Sequence, residues 1–330
     1  MPVRKPFSKD IILLENVGQV VDNIVEQLRE DVLLRFKRHG AVVGISGGID
    51  SSVCMALAAK AFGSERVLGI MLPEKDSSPD SEMLARELAE RFGVKAIKEE
   101  ITSALSGFGC YERRDEAVKR VFPEYDPKSW KMKIGIRQSG LFNNIPPIFY
   151  LTVIDPAGNS KDKILPANEY LQIVAASNFK QRTRMSMLYY HAEALHYCVV
   201  GTPNKHEQEQ GFFVKYGDGA GDVMPIGNLY KTQVYQLAEF LGVPKGIIDR
   251  TPTTDTYSAE QTQEEFFYQL PFHLMDRFWY GFENGYPSAE VAEVMGESTE
   301  RVEALCRNFD RKRKTTEYLR MPPIRDYFQG

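Results

Sequence analysis

The chain has few cysteines, no excess of positive charge and no long apolar run. Its 330 residues include four cysteines, which stand far apart at Cys54, Cys110, Cys198 and Cys306 and form no Cys-x-x-Cys pair. Zinc-binding and thioredoxin-like sites need closely spaced cysteines, so the sequence favours neither. The net charge of −4 argues against a dedicated nucleic-acid-binding protein, because such proteins usually carry a basic excess.

The chain also lacks the segments that membrane insertion or secretion requires. No apolar run reaches the roughly 18 residues of a membrane-spanning helix. Residues 1–15 carry charges and no long apolar core, so they do not resemble a secretory signal. The hydrophobic content of 43% and the charged content of 26% are those of an ordinary globular protein. These features predict a cytoplasmic protein with neither a nucleic acid nor a membrane as partner.

The most informative feature that is present is the segment 46–52, which reads Ser-Gly-Gly-Ile-Asp-Ser-Ser. It follows a predicted strand at 41–45 and precedes a helical pattern that starts near Val53. Glycines let the backbone approach an oxyanion, and a helix start offers unpaired N–H groups. Asp50 is suited to hold magnesium beside phosphates. The 46–52 loop is therefore a candidate phosphate site, although not a Walker loop; the simpler alternative is an ordinary turn.

Strands and helices alternate along the chain. The apolar patterns predict strands at 41–45, 67–72, 96–98 and 198–202, and helices at 17–38, 79–92, 181–197 and 231–241. This alternation predicts an α/β fold, a doubly wound parallel sheet with helices on both faces. Ligands of such sheets bind at the carboxyl ends of the strands. The 46–52 loop and a turn at Thr202 both lie at such ends, so they can meet on one nucleotide.

Further segments carry a resemblance to a known family. The segments are 180–185, 201–207, 211–222, 225–234 and the pair Pro252-Thr253. Together with the 46–52 loop, which is similar to the pyrophosphate loop of N-type ATP pyrophosphatases, they resemble the ammonia-dependent NAD synthetases. The resemblance covers roughly residues 17–103 and 177–265 and implies a Rossmann-like, adenine nucleotide alpha hydrolase-like fold with a helical C-terminal cap.

The resemblance implies an activity that the residues alone do not specify. The residues predict only an ATP-consuming activation of a carboxylate or a similar group. The family amidates the nicotinate carboxylate of deamido-NAD. That carboxylate attacks the α-phosphorus of ATP to give an acyl-adenylate and pyrophosphate, and ammonia then displaces AMP. ATP as substrate and Mg²⁺ are therefore the expected cofactors.

The resemblance also implies roles for individual residues. The expected catalytic residues are Asp50 and Lys231, and the expected magnesium ligands are Asp50 and Glu207. The residues expected to contact ATP and pyrophosphate are Ser46, Gly47, Gly48, Ser51, Ser52, Thr202, Lys231 and Thr253. The residues expected to contact deamido-NAD are Arg182, Lys215 and Asp222. His206, beside Glu207, is predicted to lie on a helix surface.

Three stretches depart from the family pattern. Residues 104–176 form a long insertion, in which 148–154 and 163–165 are predicted to pair as a hairpin across 155–159. Tyr318-Leu319 stands where the family has a His-Lys pair that reaches the substrate, and residues 263–267 are less acidic than the family run. These departures leave ATP activation intact and bear on the acyl substrate.

The chain is expected to comprise an N-terminal helical segment at 1–40, a synthetase-like domain at 41–265 and a helical cap at 266–330. About 40 residues precede the first strand, too few for the amidase domain of glutamine-using relatives. Free ammonia is therefore the expected nitrogen donor, unless a separate glutaminase partner delivers it. The resemblance implies a homodimer. Residues 288–309 predict two short helices, and too few basic residues flank them to favour a DNA-binding helix-turn-helix.

Four functions remain open at this point. The leading one is ammonia-dependent NAD synthesis. The second uses the same adenylation chemistry to amidate or ligate a different small carboxylate. The third is a tRNA-modifying ATP pyrophosphatase, which the scarcity of cysteine disfavours. The fourth is a non-catalytic nucleotide-binding module, which the presence of both Asp50 and Glu207 disfavours.

Overall fold

The computed structural model describes residues 4–137, 148–252, 257–259, 261–262 and 267–325. Its strands are β1 (Ala41–Gly44), β2 (Val67–Met71), β3 (Lys95–Lys98), β4 (Lys131–Arg137), β5 (Ile148–Ile154), β6 (Ser160–Ile164) and β7 (Cys198–Val200). Its helices are α1 (Val17–Arg29), α2 (Ile49–Phe62), α3 (Pro79–Phe92), α4 (Thr102–Gly107), α5 (Cys110–Val121), α6 (Ala167–Leu195), α7 (Lys205–Gln210), α8 (Lys231–Leu241), α9 (Lys245–Ile248), α10 (Phe272–Glu283), α11 (Ser288–Met295), α12 (Thr299–Thr315) and α13 (Glu317–Arg320). Within the described residues, none of these helices has the length and hydropathy to cross a bilayer.

The predicted doubly wound sheet is confirmed. Four parallel strands pair in the order β3-β2-β1-β7. Successive side chains point to opposite faces: Val43 packs with α1, α2 and α8, whereas Val42 packs with α6. Both faces are therefore covered by helices, which explains why the strands are continuously apolar.

Helix boundaries were predictable where capping residues mark them. Helix α3 begins at Pro79 and ends before Gly93, which adopts the left-handed conformation, and α8 has the predicted bounds. The predicted helix 17–38 divides into α1 and a π-helical stretch, Glu30–Arg35. The predicted start of α6 at 181 was wrong, because the helix begins at Ala167. It packs against α5 and the sheet on different sides, so it carries no single apolar stripe.

The predicted insertion contains a second, antiparallel sheet. The hairpin is confirmed, but its second strand, β6, begins at Ser160 and not at the predicted residue 163. The two strands pair across a turn in which Asp155 accepts hydrogen bonds from Ala157 and Asn159. A third strand, β4, pairs with β5 on its other side and was not predicted. Its alternation of apolar and polar residues was visible in the sequence, and both Met132 and Ile134 are fully buried.

A buried ionic cluster joins the insertion to the parallel sheet. Lys180 Nζ on α6 lies 2.9 Å from Glu74 Oε1 and 2.8 Å from Asp76 Oδ2, in the segment after β2. Arg114 Nη1 on α5 lies 2.6 Å from the same Asp76 oxygen, and the Tyr111 hydroxyl donates to Glu74 Oε2 at 2.7 Å. The cluster therefore ties α5 and α6 to the loop that follows β2.

The C-terminal helices have an aromatic core of their own. Tyr268, Trp279 and Phe309 are fully buried there, and Phe7 from the N-terminal segment packs into the same core. The two helices predicted within 288–309 are present as α11 and α12, and α12 continues to Thr315. The division into a synthetase-like domain and a cap stays a prediction.

Candidate active site

A cavity of about 1160 Å³ opens where the parallel strands end. The 46–52 loop, Thr202, Glu207 and Lys231 line one side of it, and residues of α6 from Tyr170 to Leu188 line another. A third side, called the α12 wall, consists of Asn308, Arg311, Lys312 and Thr315. The cavity thus brings together most of the residues that the sequence predicts to contact ATP and metal.

The 46–52 loop has the geometry of an anion site. Gly47 has φ +73°, and a Cβ there would lie 2.6 Å from the backbone oxygen of Ser81, so only glycine fits. The Ser51 and Ser52 hydroxyls donate to Gly48 O at 3.0 and 2.8 Å, which holds the first turn of α2. The N-terminal N–H groups of that helix lie at the loop, where they favour a phosphate.

Asp50 and Lys231 form the charged centre of the site. Lys231, at the start of α8 and fully buried, donates through Nζ to Asp50 Oδ2, and Asn204 Nδ2 donates to Asp50 Oδ1 at 3.3 Å. Burial opposes the charge of Lys231, but the carboxylates of Asp50 and Glu207 outweigh it and raise its pKa. The Lys231 side chain therefore stays protonated and positively charged inside the cavity.

Glu207 lies close enough to Asp50 for the two carboxylates to repel. Burial, followed by the charge of Asp50, raises the pKa of Glu207, and Lys231 only partly offsets this. A divalent cation between the two carboxylates would remove the repulsion. Within the described residues, no group of three or more histidine, cysteine, aspartate or glutamate side chains is arranged to hold a metal.

Asn204 is a site residue that the sequence reasoning missed. Its side chain accepts from the backbone N–H of His206 and Glu207, and Glu207 Oε2 accepts from Asn204 N at 2.9 Å. This reciprocal capping box orients Glu207 at the start of α7. Asn204 and Glu207 stand three residues apart, so the capping pattern was available in the sequence.

The residues predicted to contact deamido-NAD lie elsewhere. Arg182 and Lys215 come together, because Arg182 Nε donates to Lys215 O at 3.3 Å. Asp222 accepts from the Tyr189 hydroxyl at 3.1 Å and from Val199 N at 2.8 Å. All three lie on the surface beside the cavity and not in its wall. Thr202 lines the cavity; Thr253, like 263–266, falls outside the described residues.

The divergent C-terminal segment reaches the site. Tyr318 and Leu319 line the cavity, where the family pattern would place His and Lys. Lys215 Nζ donates to the backbone oxygens of Tyr318 and Met321 at 2.8 and 2.7 Å. Lys215 therefore holds the chain that carries the two substituted positions.

His206 is the clearest error of the sequence analysis. It is fully buried, not on a helix surface, and its Nε2 lies 2.5 Å from Asp276 Oδ1 on α10. Thr232 donates to the other oxygen of Asp276 through its backbone N–H at 2.7 Å. The residues around His206 do not reveal this partner, because Asp276 stands 70 residues away in the sequence.

The comparisons with known proteins decide the family. The NAD synthase family model matches residues 20–122 and 151–323. The chain belongs to the NAD synthase family. The internal stretch that has no match, 123–150, is shorter than the predicted insertion at 104–176, and the altered Tyr318-Leu319 pair lies within the matched range.

Curated relatives support the same assignment over almost the whole chain. The NH(3)-dependent NAD(+) synthetase of Mesorhizobium japonicum is 50% identical over 304 residues, 92% of this chain and 95% of the relative. That of Rhizobium meliloti is 46% identical over 320 residues, 97% of this chain and 95% of the relative.

Solved structures share the fold at lower identity. An NMN synthetase from Francisella tularensis superposes with a TM-score of 0.63 at 22% identity, covering 95% of this chain and 99% of the other. An NH3-dependent NAD synthetase from Campylobacter jejuni has a TM-score of 0.61 at 20% identity, covering 95% and 100%. This likeness concerns the fold alone.

Proposed function

We propose that this protein is a ligase that amidates the nicotinate carboxylate of deamido-NAD with ammonia at the expense of ATP. The observation that carries the proposal is the contact between Lys231 and Asp50 of the 46–52 loop. It occurs in a chain that belongs to the NAD synthase family. The curated relatives at 50% and 46% identity are named NH(3)-dependent NAD(+) synthetases, which supports this proposal.

The reaction proceeds in two steps. A carboxylate oxygen of the substrate bonds to the α-phosphorus of ATP, and the bond from that phosphorus to pyrophosphate breaks. The nitrogen of ammonia then bonds to the activated carbonyl carbon. The C–O bond to AMP breaks with its electron pair, and the nitrogen loses one proton to solvent. The 46–52 loop and Lys231 stabilise the charge that develops on the leaving pyrophosphate.

The residues present fit a magnesium ion. Mg²⁺ is usually held by one or two carboxylates together with substrate phosphates and water, and Asp50 and Glu207 supply two carboxylates. Burial, followed by the charge of Asp50, raises the pKa of Glu207, and the repulsion between the two carboxylates is the structural reason for expecting a cation there. When bound, the ion would neutralise charge on the phosphates.

Arg182, Lys215 and Asp222 are proposed to bind deamido-NAD. All three are polar and stand within two residues of a residue that lines the cavity, and Arg182 contacts Lys215. Arg182→Ala should therefore raise the KM for deamido-NAD about tenfold and leave the KM for ATP unchanged, as steady-state kinetics would measure. Equal effects on both substrates would contradict this role.

We also propose that the protein is a homodimer and uses free ammonia, as the resemblance to the family implies. Helix α6 also carries the exposed side chains Tyr190 and Leu195, which suit a homodimer contact. Free ammonia is the proposed donor, with delivery by a separate glutaminase as the alternative. The cytoplasmic location rests on the cysteines, all four of which are free.

One observation favours a second candidate function. Tyr318 and Leu319 line the cavity in place of the family pair, so another small carboxylate could be the acyl substrate of the same chemistry. The deciding experiment measures pyrophosphate release from ATP, Mg²⁺ and ammonium with and without deamido-NAD. Strong stimulation with NAD as product is expected. Absence of stimulation in protein that binds ATP would overturn the proposal and favour a different acid.

A further inference from the structure

Two cations on the cavity wall lack the carboxylate partners that the other basic residues of the same helix have. Arg311 and Lys312, near the end of α12, line the cavity and form no ion pair with any residue that the structure describes. The remaining basic residues of α12 each lie 2.7–3.7 Å from a carboxylate, in the pairs Arg301–Glu297, Arg307–Glu303, Arg313–Glu209 and Lys314–Asp310. On α12, the cations without a carboxylate are thus the two that line the cavity.

The spacing along α12 places both cations on one face of the helix. The members of the α12 wall, from Asn308 to Thr315, stand three or four residues apart, so they are neighbours on one helix surface. Arg313 and Lys314 are exposed and lie outside the cavity wall. The helix therefore directs one pair of basic residues to solvent and another pair to the cavity.

Lys312 is held in place by groups that carry no net charge. Its Nζ donates to Phe267 O at 3.1 Å and lies 4.4 Å from the centroid of the Phe267 ring. An ammonium group has three donors, so this arrangement orients Lys312 and leaves donors for a ligand. Burial, followed by the charge of Arg311, lowers the pKa of Lys312 to about 8. An anion bound at the wall would counteract both effects, whereas a neutral ligand would not.

The wall lies near the proposed magnesium site but on a different side of the cavity from the 46–52 loop. Helix α7 packs against α12, and a Cβ at Gly211, just after α7, would lie 2.4 Å from Thr316 Cβ. Gly211 stands four residues after Glu207, which is roughly 6 Å along a helix axis. Lys312 stands one turn before Thr316. A single substrate molecule can therefore extend from the metal carboxylate to the two cations.

The charges of the two proposed substrates select the ligand of this wall. The phosphates of ATP have partners at the sheet end, in the 46–52 loop, Lys231 and the metal carboxylates. Deamido-NAD carries its reacting carboxylate on the nicotinate ring and, beyond that ring and a ribose, a negatively charged pyrophosphate. When the carboxylate reaches ATP at the sheet end, the pyrophosphate lies farther along the cavity. Arginine and lysine are the side chains that bind phosphate groups most strongly.

We propose that Arg311 and Lys312 bind the pyrophosphate of deamido-NAD and so hold this substrate while its carboxylate attacks ATP. This inference rests on the proposed function, since it assigns a site to one of its substrates. The two residues act by binding alone and take no part in bond formation. Their role differs from that of Lys231, which stabilises charge on the phosphates of ATP.

The first test measures the KM for each substrate in matched variants. Arg311→Gln and Lys312→Met each remove one cation, and Lys312→Arg keeps it. Lys314→Met is the control, because Lys314 belongs to the same last turn of α12 but lies outside the cavity wall. We expect the KM for deamido-NAD to rise at least about tenfold in Arg311→Gln and Lys312→Met, to recover in Lys312→Arg and to stay unchanged in Lys314→Met. The KM for ATP should stay unchanged in every variant, and an equal rise for ATP would overturn the proposal.

Binding of the product separates the pyrophosphate from the carboxylate. NAD keeps the pyrophosphate of deamido-NAD but has an amide in place of the carboxylate. Its Kd, measured by isothermal titration calorimetry, should therefore also rise at least about tenfold in Arg311→Gln and Lys312→Met. A raised KM for deamido-NAD with an unchanged Kd for NAD would mean that the wall binds the carboxylate, and would overturn the pyrophosphate site.

The wild-type protein distinguishes failure of this proposal from failure of the proposed function. Exchange of labelled pyrophosphate into ATP, with Mg²⁺ and deamido-NAD but no ammonium, reports adenylation alone. If the wild type shows no exchange, the proposed function fails, and the pyrophosphate site fails with it. If the wild type shows exchange and both variants keep its KM for deamido-NAD, the pyrophosphate site alone fails. Should Lys312→Met not fold, Arg311→Gln decides the question, because it changes a partly exposed side chain.

Discussion

The two ends of the cavity are built in different ways. At the sheet end, the loop residues that line the cavity all lie within the seven consecutive positions 46–52. At the other end, the α12 wall and its cavity-lining neighbours Gln210 and Phe267 come from three separate parts of the chain. An anion site made from backbone at a helix start is therefore encoded locally. A cavity wall made from the side chains of distant segments depends instead on long-range packing.

The largest effect of a substitution on activity is expected at the sheet end of the cavity. Asp50→Ala should lower pyrophosphate release on the order of a thousandfold, because it removes a proposed metal ligand and the partner of Lys231. Asp80→Ala is the matched control, an exposed aspartate in the first turn of α3 that does not line the cavity. Circular dichroism should show both variants folded. Near-normal turnover in Asp50→Ala would refute the catalytic assignment.

The contrast also explains how much the sequence could predict. The 46–52 loop and the bounds of α3 and α8 follow from glycine, proline and apolar spacing within a few residues. The start of α6, the burial of His206 and the buried ionic cluster depend on contacts between distant segments. Lys180, for example, meets Glu74 across 106 residues, and no periodicity reports such a pair. The substrate-contacting residues stay predictions.

The second-largest effect should fall on stability and not on chemistry. Asp76→Asn leaves Arg114 and Lys180 buried with one carboxylate fewer, so we expect about 3 kcal/mol lower free energy of unfolding. Asp310→Asn removes an exposed ion pair with Lys314 and should cost under about 0.5 kcal/mol. Urea unfolding measures both. Similar small losses in the two variants would mean that the cluster does not anchor the insertion.

The pH dependence of the same variant gives a finer test. Burial raises the pKa of Asp76, but Lys180 and Arg114 outweigh it, so the pKa is lowered overall. Because the pKa of Asp76 is lower in the folded protein than in the unfolded chain, where it is about 3.9, the ionised side chain stabilises the fold above about pH 3.9. This stabilisation disappears as the pH falls through the pKa of the folded protein. The difference in unfolding free energy between wild type and Asp76→Asn should be constant above about pH 4 and narrow below it. A difference that widens with acid would contradict the ion-pair assignment.

The smallest expected effect concerns the divergent residues at the other end of the cavity. Leu319→Lys restores the charge that the family pattern places at this position, near the backbone segment held by Lys215. A charge-assisted hydrogen bond is worth about 1.5–3 kcal/mol, of which the long lysine side chain loses part as entropy. We therefore expect up to about a tenfold lower KM for deamido-NAD, equivalent to about 1.4 kcal/mol, with an unchanged KM for ATP. Leu34→Lys changes an exposed leucine outside the cavity wall and controls for added charge. A higher KM for deamido-NAD in Leu319→Lys alone would mean that the apolar residue fits the natural acyl substrate better, and would favour a carboxylate other than deamido-NAD.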